Sequence, residues 1–333
     1  MIHHLVNYAG NLGEKHDLIG NVISVIGKGG VSVFFVISGF IITTLLLREH
    51  SLTGTISLKA FYIRRFFRIV PPFATYLAIL STLSIAGAVV VSAPNIIWSA
   101  LFLGNIEFPT SSSWLVGHTW SLSIEEQYYL FFPPLLCGAL VLRVSSFGIF
   151  IGSIYGLCFL SPKLAKELAT HFGSQWLCVS ALFSFRYIVI GVLLALYQGA
   201  ILRRLRNSSI LIPWTLFVFI LFGSLSDLTK LSSLMFSAVD PIAFGVFVMW
   251  FVENPTRCRL LRWRIVQWVG ACSYSIYLWQ QLFTAPAEYY HGWKLSQYPY
   301  CLLLILLVAA TSHYMIERPA SRYGKFVAQR LVR

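Results

Sequence analysis

Charge is scarce in this chain. Asp, Glu, Lys and Arg make up 11% of its 333 residues, and only 12 of these are acidic. A soluble domain carries roughly 25% charged residues, so the deficit argues against a soluble enzyme. With 57% hydrophobic residues and a mean hydropathy of +0.73, the composition is that of a polytopic membrane protein. Cysteine is sparse as well. Cys137, Cys158, Cys178, Cys258, Cys272 and Cys301 lie mostly within or beside apolar runs and form no CxxC pair. That excludes a disulfide framework and zinc-ligand spacing, and no metal is expected. There is no GxSxG elbow, no HExxH, no Walker motif and no DHHC. The N-terminus lacks the basic region and cleavage site of a signal peptide. Repeats of solenoid period are absent, as are the paired inverted halves with broken helices that point to a secondary transporter. The net charge of +13 invites a nucleic-acid partner. The placement of the basic residues argues against one, because they sit in short segments between apolar runs.

Apolar runs of bilayer length, about 17–25 residues, fall near 29–47, 70–92, 120–142, 146–161, 175–198, 209–225, 231–252, 266–287 and 298–316. Segment 1–9 is apolar but too short to span, and reads as the end of a helix whose beginning is missing. The expected fold is therefore an all-α bundle of about ten transmembrane helices, the first incomplete, forming one membrane domain over residues 1–333. Cytoplasmic loops collect Lys and Arg. With the 47–70 connection placed in the cytoplasm, 18 of the 25 basic residues fall on that side and six on the other. Only Arg186 lies inside a span, and the C-terminus is cytoplasmic. "HTWSLSIEEQ" (118–127) then opens an inbound helix, and the aromatic-rich segment before it reads as interfacial.

Five constellations are candidates for chemistry. In "HTWSLSIEEQYYLFFPPLL" (118–136), helical spacing sets Ser121, Glu125, Tyr128 and Tyr129 along one side, with Glu126 turned by about 100°. Charge in a bilayer is costly, so an intramembrane carboxylate such as Glu125 points to function or to a satisfied structural network. In "FYIRRFFRIVPPF" (61–73), Arg64, Arg65 and Arg68 precede a span whose start Pro71 and Pro72 mark. Two readings stay open there: positive-inside anchoring, and a site where arginine forks grip phosphate. In "MIHHL", His4 offers a neutral imidazole suited to general-base work, set against an inert surface histidine. Ser38 and Gly39, inside a span, suit close helix packing. Arg186 requires an intramembrane carboxylate, either Glu125 or Asp240, in a structural pair or in a site.

Taken together these stretches resemble the acyltransferase-3 family of integral-membrane O-acyltransferases. The resemblance is carried by "GGVSVFFVISGFII" (29–42), "FYIRRFFRIVPPF" (61–73), "HTWSLSIEEQYYLFFP" (118–133), "FVENPTRCRLL" (251–261), "CSYSIYLWQ" (272–280) and "IERPASRYGK" (316–325), in the family's order. It implies transfer of an acyl group, commonly acetyl, from a cytoplasmic acyl-coenzyme A to a hydroxyl of a carbohydrate or glycolipid acceptor. The implied location is a bacterial inner membrane, with the lipid bilayer as partner and no nucleic acid. The family's RxxR pair falls on Arg65 and Arg68 and implies coenzyme A as the ligand, with Arg64 beside them. Its WSLxxE motif falls on Trp120, Ser121, Leu122 and Glu125, with His118 and Tyr129 matching on either side. The presumed catalytic histidine falls on His4, with His3 as the fallback. This chain departs from the family in two places: the residues that begin the first helix are absent, and Gln280 stands where a histidine is common.

These assignments imply a division of labour. Arg65 and Arg68 bind the donor, His4 takes the acceptor proton, and Glu125 orients His4 or the acceptor. His118, Trp120, Ser121, Tyr129 and Arg186 complete the substrate path. Direct transfer is favoured over a covalent intermediate, because no Cys or Ser has a recognisable activating neighbour. A small-molecule transporter and an inactive membrane scaffold are the competing classes.

Overall fold

The structure is a computed structural model that describes residues 18–106, 113–144, 146–172, 182–206, 208–225, 230–290 and 300–332. In a bilayer every backbone N–H and C=O must be satisfied within its own segment, so apolar runs fold as helices. The first two are α1 (Leu18–Thr53) and α2 (Leu58–Ile85), followed by the short α3 (Ala93–Ala100) and the single turn α4 (Trp114–Gly117). Next come α5 (Thr119–Val141), α6 (Phe147–Phe172), α7 (Phe185–Leu196) and the short α8 (Gln198–Leu205). After them run α9 (Leu211–Leu225), α10 (Lys230–Glu253), α11 (Arg264–Ala271), α12 (Ser273–Thr284) and α13 (Tyr300–Ser312). A π-helical turn, His313–Glu317, joins α13 to α14 (Arg318–Val332). Among the described residues there is no β-strand, only an isolated bridge between Val89 and Tyr290.

Three stretches among the described residues are long and apolar enough to cross a membrane: Gly29–Thr53, Leu58–Ile85 and Tyr300–Leu331. Phe147–Ser161, Leu182–Leu196 and Leu211–Ile220 are apolar but shorter. Large apolar side chains cover the outer faces of several helices, among them Ile41, Leu45, Phe131, Ile149, Leu157 and Leu303. A soluble monomer rarely exposes apolar area on that scale; lipid covers it without cost. The chain is an integral membrane protein.

α1 and α6 extend beyond the expected runs 29–47 and 146–161, and two further differences bear on the site. Pro71 and Pro72 do not mark a helix start; they lie inside α2, which begins at Leu58 with Ser57 Oγ accepting from Ala60 N at 3.3 Å. A proline inside a membrane helix is tolerated when neighbouring groups satisfy the freed carbonyls. Near the prolines, Tyr274 Oη donates to Ile69 O at 3.0 Å and Thr75 Oγ1 to Pro71 O at 2.9 Å, which anchors the proline turns without reaching the freed carbonyls of Phe67 and Arg68. In α5 a freed carbonyl itself is reached. Pro134 has no N–H to give Leu130 O, and Tyr62 Oη donates to that carbonyl at 2.8 Å instead. The second difference is the run 266–287, which is broken at Cys272 into α11 and α12. The segment 98–114 is expected at the interface; its part 98–106 docks on the polar side of α5. Asn105 and Gln127 exchange hydrogen bonds of 3.1 and 2.9 Å, and Gly104 N donates to Ser123 Oγ at 3.0 Å.

A close backbone contact joins α1 to α7. A Cβ added at Gly39 would stand 2.2 Å from Ile188 O, and one added at Gly191 would stand 2.2 Å from Val36 O. Backbone meets backbone there, which only glycine on both sides permits. Packing was the expected role of Gly39, and it is the role observed. Overpacked cores lose about 1–3 kcal/mol, and a rigid backbone offers no relief. Gly39→Ala or Gly191→Ala should therefore lower the melting temperature of the detergent-purified protein by several degrees. Gly152→Ala, whose Cβ would meet nothing within 4 Å, should leave it unchanged.

Candidate active site

The α1–α7 crossing places Ser38, one residue before Gly39, against α5. Glu125 is 3% exposed, which in an apolar bundle obliges it to find donors. It has two: Ser38 Oγ and Tyr129 Oη both donate to Oε1. The Arg65 guanidinium lies over the Tyr129 ring, 4.6 Å from its centroid, so a cation, a phenol, a carboxylate and a serine stand in contact in that order. Tyr128 turns to the other side of α1, its hydroxyl 3.3 Å from Thr43 Oγ1. Glu126 is half-buried, and its Oε1 has no hydrogen-bond partner among the described residues.

Two cavities flank this chain of contacts. The first, about 780 Å³, is lined by Arg64, Arg65 and Arg68 of α2, by Arg318, Arg322 and Lys325 of α14, and by Leu45, Leu46 and Glu49 of α1. The second, about 530 Å³, is lined by His118, Trp120, Ser121, Tyr277, Gln280 and Gln281, with Phe34 of α1. On α1, Ser38 stands between Phe34 of the second cavity and Leu45 of the first. That interval is about 16 Å at 1.5 Å per residue. On α5 the order is Ser121, Glu125, Tyr129. On α11–α12 the two cavities adjoin: Ala271 lines the first, while Val269 and Ser273 on either side of it line the second. Glu125 and Ser38 thus occupy the wall between a basic chamber and a neutral, aromatic and amide-lined one.

Each chamber has its own internal order. In the basic one, Arg64 is paired with Glu49 at 3.3 Å, and Glu49 also accepts from Ser57 N at 2.8 Å. Arg65 and Arg68 have no carboxylate partner among the described residues. Buried Glu317 accepts from Ser275 Oγ at 2.8 Å and lies 3.0 Å from His313 Nδ1. In the neutral chamber, Ser121 Oγ and Tyr277 Oη are 2.5 Å apart, and Tyr277 Oη also donates to His118 O. The His118 ring packs edge-on against Tyr76 and Tyr277, with centroids at 5.6 and 5.2 Å. Trp120 meets Phe35 edge-on at 6.0 Å.

The sequence candidates therefore gather into one connected arrangement: Arg64, Arg65 and Arg68 in one chamber, His118, Trp120 and Ser121 in the other, and Tyr129 and Glu125 between them. His3 and His4 lie outside the described residues. Arg186 meets Asp240 rather than Glu125: the ions are 3.4 Å apart, Tyr187 Oη donates to Asp240 Oδ2 at 2.5 Å, and the guanidinium covers the Phe183 ring at 3.6 Å. It is not among the residues lining either cavity. Sequence reasoning missed Ser38 as a carboxylate partner, Tyr277 and Gln281 as cavity lining, and Arg318, Arg322 and Lys325 as more than loop charge. One signal was available for Tyr277 and Gln281: both lie in or beside "CSYSIYLWQ", where Gln280 replaces the common histidine.

Comparison with known proteins shows the family. The family described as "Acyltransferase domain" matches residues 1–314. The chain belongs to that acyltransferase-3 family. Among curated relatives, "Putative O-acetyltransferase SACOL0978" of Staphylococcus aureus (strain COL) is 27% identical over 338 residues, covering 89% of this chain and 53% of the relative. "Peptidoglycan O-acetyltransferase OatA" of Listeria monocytogenes is 26% identical over 345 residues, covering 89% and 51%. "O-acetyltransferase OatA" of Staphylococcus aureus (strain NCTC 8325 / PS 47) is 25% identical, covering 89% and 53%. The chain spans about half the length of the curated relatives it matches. No solved structure matches it significantly.

The Arg186–Asp240 pair has a checkable consequence for stability. Removing one partner of a buried pair strands the other charge at a cost of about 3–5 kcal/mol. Arg186→Met alone should therefore sharply reduce the yield of folded, monodisperse protein and its melting temperature. The double variant Arg186→Met/Asp240→Leu should recover a large part of both.

Proposed function

We propose that this chain is a membrane O-acyltransferase that moves an acyl group, acetyl in the simplest case, from acyl-coenzyme A to a carbohydrate hydroxyl. The observation that carries the proposal is the Arg65–Tyr129–Glu125–Ser38 chain set between a basic chamber and a neutral polar one. Arginine forks suit the donor's phosphates. The second chamber offers what a sugar needs: hydroxyl and amide groups for hydrogen bonds, and aromatic faces for its apolar side.

In the proposed reaction the donor enters the first chamber, with phosphates on Arg65 and Arg68, and extends its thioester towards Glu125. The acceptor enters the second, against His118, Trp120, Ser121 and Gln280. The acceptor oxygen attacks the thioester carbonyl, the C–S bond breaks, and the sulfur leaves as the coenzyme A thiol after taking up a proton. His4 is the proposed base for the acceptor proton. Glu125, held by Ser38 and Tyr129, orients that base or the acceptor and balances the imidazolium. Gln280 keeps a hydrogen bond where a histidine is common but cannot shuttle a proton. The positive-inside count supports a cytoplasmic basic chamber and C-terminus in a bacterial inner membrane. It also supports a single bundle of about ten spans. The curated relative named as a peptidoglycan O-acetyltransferase favours a cell-wall glycan as the first acceptor to try.

The test is acetyl-coenzyme A thiol release by purified protein, with and without peptidoglycan fragments and other glycans. Acceptor-dependent release is expected to fall by about 10²-fold or more in Glu125→Gln, the scale for a lost acid–base or positioning group. It should fall further in Arg65→Ala/Arg68→Ala through weaker donor binding. A protein that binds no acetyl-coenzyme A, or that moves a solute across vesicles without consuming thioester, would overturn the reading.

A further inference from the structure

The basic chamber has two walls, and only one of them is used by the proposed reaction. On α14, Arg318, Arg322 and Lys325 recur at i, i+4 and i+7 and line the same cavity as the arginines of α2. The two helices meet at a tight seam. A Cβ added at Gly324 would stand 2.6 Å from Phe67 Cβ, and Phe67 also packs edge-on against Tyr323 at 5.2 Å. On each helix the cations are turned by roughly 60–160° from the seam residue. Both rows therefore flank the seam and open into one cavity.

The rows differ in their surroundings. In the α2 row Arg64 and Arg65 are half-buried and Arg68 is exposed; Arg64 is offset by Glu49, and Arg65 covers Tyr129, which reaches Glu125, so this row is the inner one. Arg65 and Arg68 form no salt bridge among the described residues and stand beside the proposed path to the transfer centre. In the α14 row, Arg318, Arg322 and Lys325 are exposed, and none has a carboxylate partner among the described residues. Positive-inside anchoring alone does not require three cations to face a cavity rather than the lipid headgroups.

Resting on the donor reading above, we propose that the α14 row is a second phosphate subsite that grips the 3′-phosphate of the donor's nucleotide. The α2 row holds the diphosphate. The covalent order of the donor dictates the assignment. The diphosphate joins the thioester arm to the ribose, so it lies nearer the reacting end and belongs on the inner row. The ribose 3′-phosphate lies farther out, on the outer row. The C-terminal helix thereby selects coenzyme A thioesters over shorter pantetheine or dephospho donors. Tight packing at Gly324 keeps the two rows at a fixed spacing.

The experiment compares equilibrium binding of acetyl-coenzyme A and 3′-dephospho-acetyl-coenzyme A to the full chain in nanodiscs, made either neutral or with phosphatidylglycerol. Loss of charge-assisted hydrogen bonds to one phosphate corresponds to roughly ten- to a hundredfold in affinity. Wild-type protein should prefer acetyl-coenzyme A by that factor in both lipids. Arg322→Ala and Lys325→Ala, alone and together, should erase the preference by weakening acetyl-coenzyme A binding while leaving the dephospho donor unchanged. Arg322→Lys should keep part of it, and Arg65→Ala/Arg68→Ala should weaken both donors. Unchanged melting temperatures would show that the variants fold. If wild type binds both donors equally, or the α14 variants weaken both equally, the subsite is overturned while the donor reading stands. If the variants abolish only a preference for anionic nanodiscs, the row serves lipid headgroups and the proposal fails. Wild-type protein that binds neither donor overturns this proposal and the transferase reading together.

Discussion

The backbone contact between Gly39 and Gly191 is the constraint from which the site follows. Two helices can approach this closely only where neither carries a side chain, and the approach leaves no freedom to rotate either one. Ser38 is therefore held facing α5, where Glu125 needs a donor. The α7 helix is held in turn with Arg186 against Asp240 of α10. A steric fact about two glycines thus determines where two buried charges find their partners.

Burial explains the rest of the polar architecture. A carboxylate in an apolar bundle either collects donors or stays unfavourable, and Glu125 collects a serine and a tyrosine rather than an arginine. The nearest cation, Arg65, acts through the face of Tyr129. This keeps Glu125 close to positive charge without closing a salt bridge, so the carboxylate remains available to a base or a hydroxyl. Asp240 shows the alternative outcome: Arg186 and Tyr187 are both engaged on it. Of the two carboxylates offered to Arg186 by the sequence, only tertiary packing selected Asp240.

The prolines and the helix break carry a related lesson. Pro71 and Pro72 read in sequence as a boundary because proline seldom sits inside a helix in water. In the bundle α2 runs straight through both prolines, with Tyr274 Oη of a neighbouring helix bonded to Ile69 O beside them. That continuation moves Arg64, Arg65 and Arg68 from a loop flank onto a helix wall, and so into a chamber. The break at Cys272 is the converse case. It interrupts an apparently continuous span beside Ala271, which lines the basic chamber, and Ser273, which lines the neutral one.

The sequence by itself determined the class of protein, because a chain with so few charges and so many bilayer-length apolar runs can satisfy its backbone only as membrane helices. It also singled out candidates for chemistry: Glu125 by its cost in lipid, Arg65 and Arg68 by their match to the family's RxxR pair, and Ser121 and Tyr129 by sharing a helical side with Glu125. The tertiary structure alone decided the partnerships. Ser38 lies 87 residues from Glu125, and Tyr277 lies 156 from Ser121. Arg322 and Lys325, which read as ordinary cytoplasmic charge, line a cavity only because Gly324 lets α14 seat on Phe67. Local spacing reports which residues share a face. Which faces meet is set by packing between distant helices, and no periodicity in the chain encodes it.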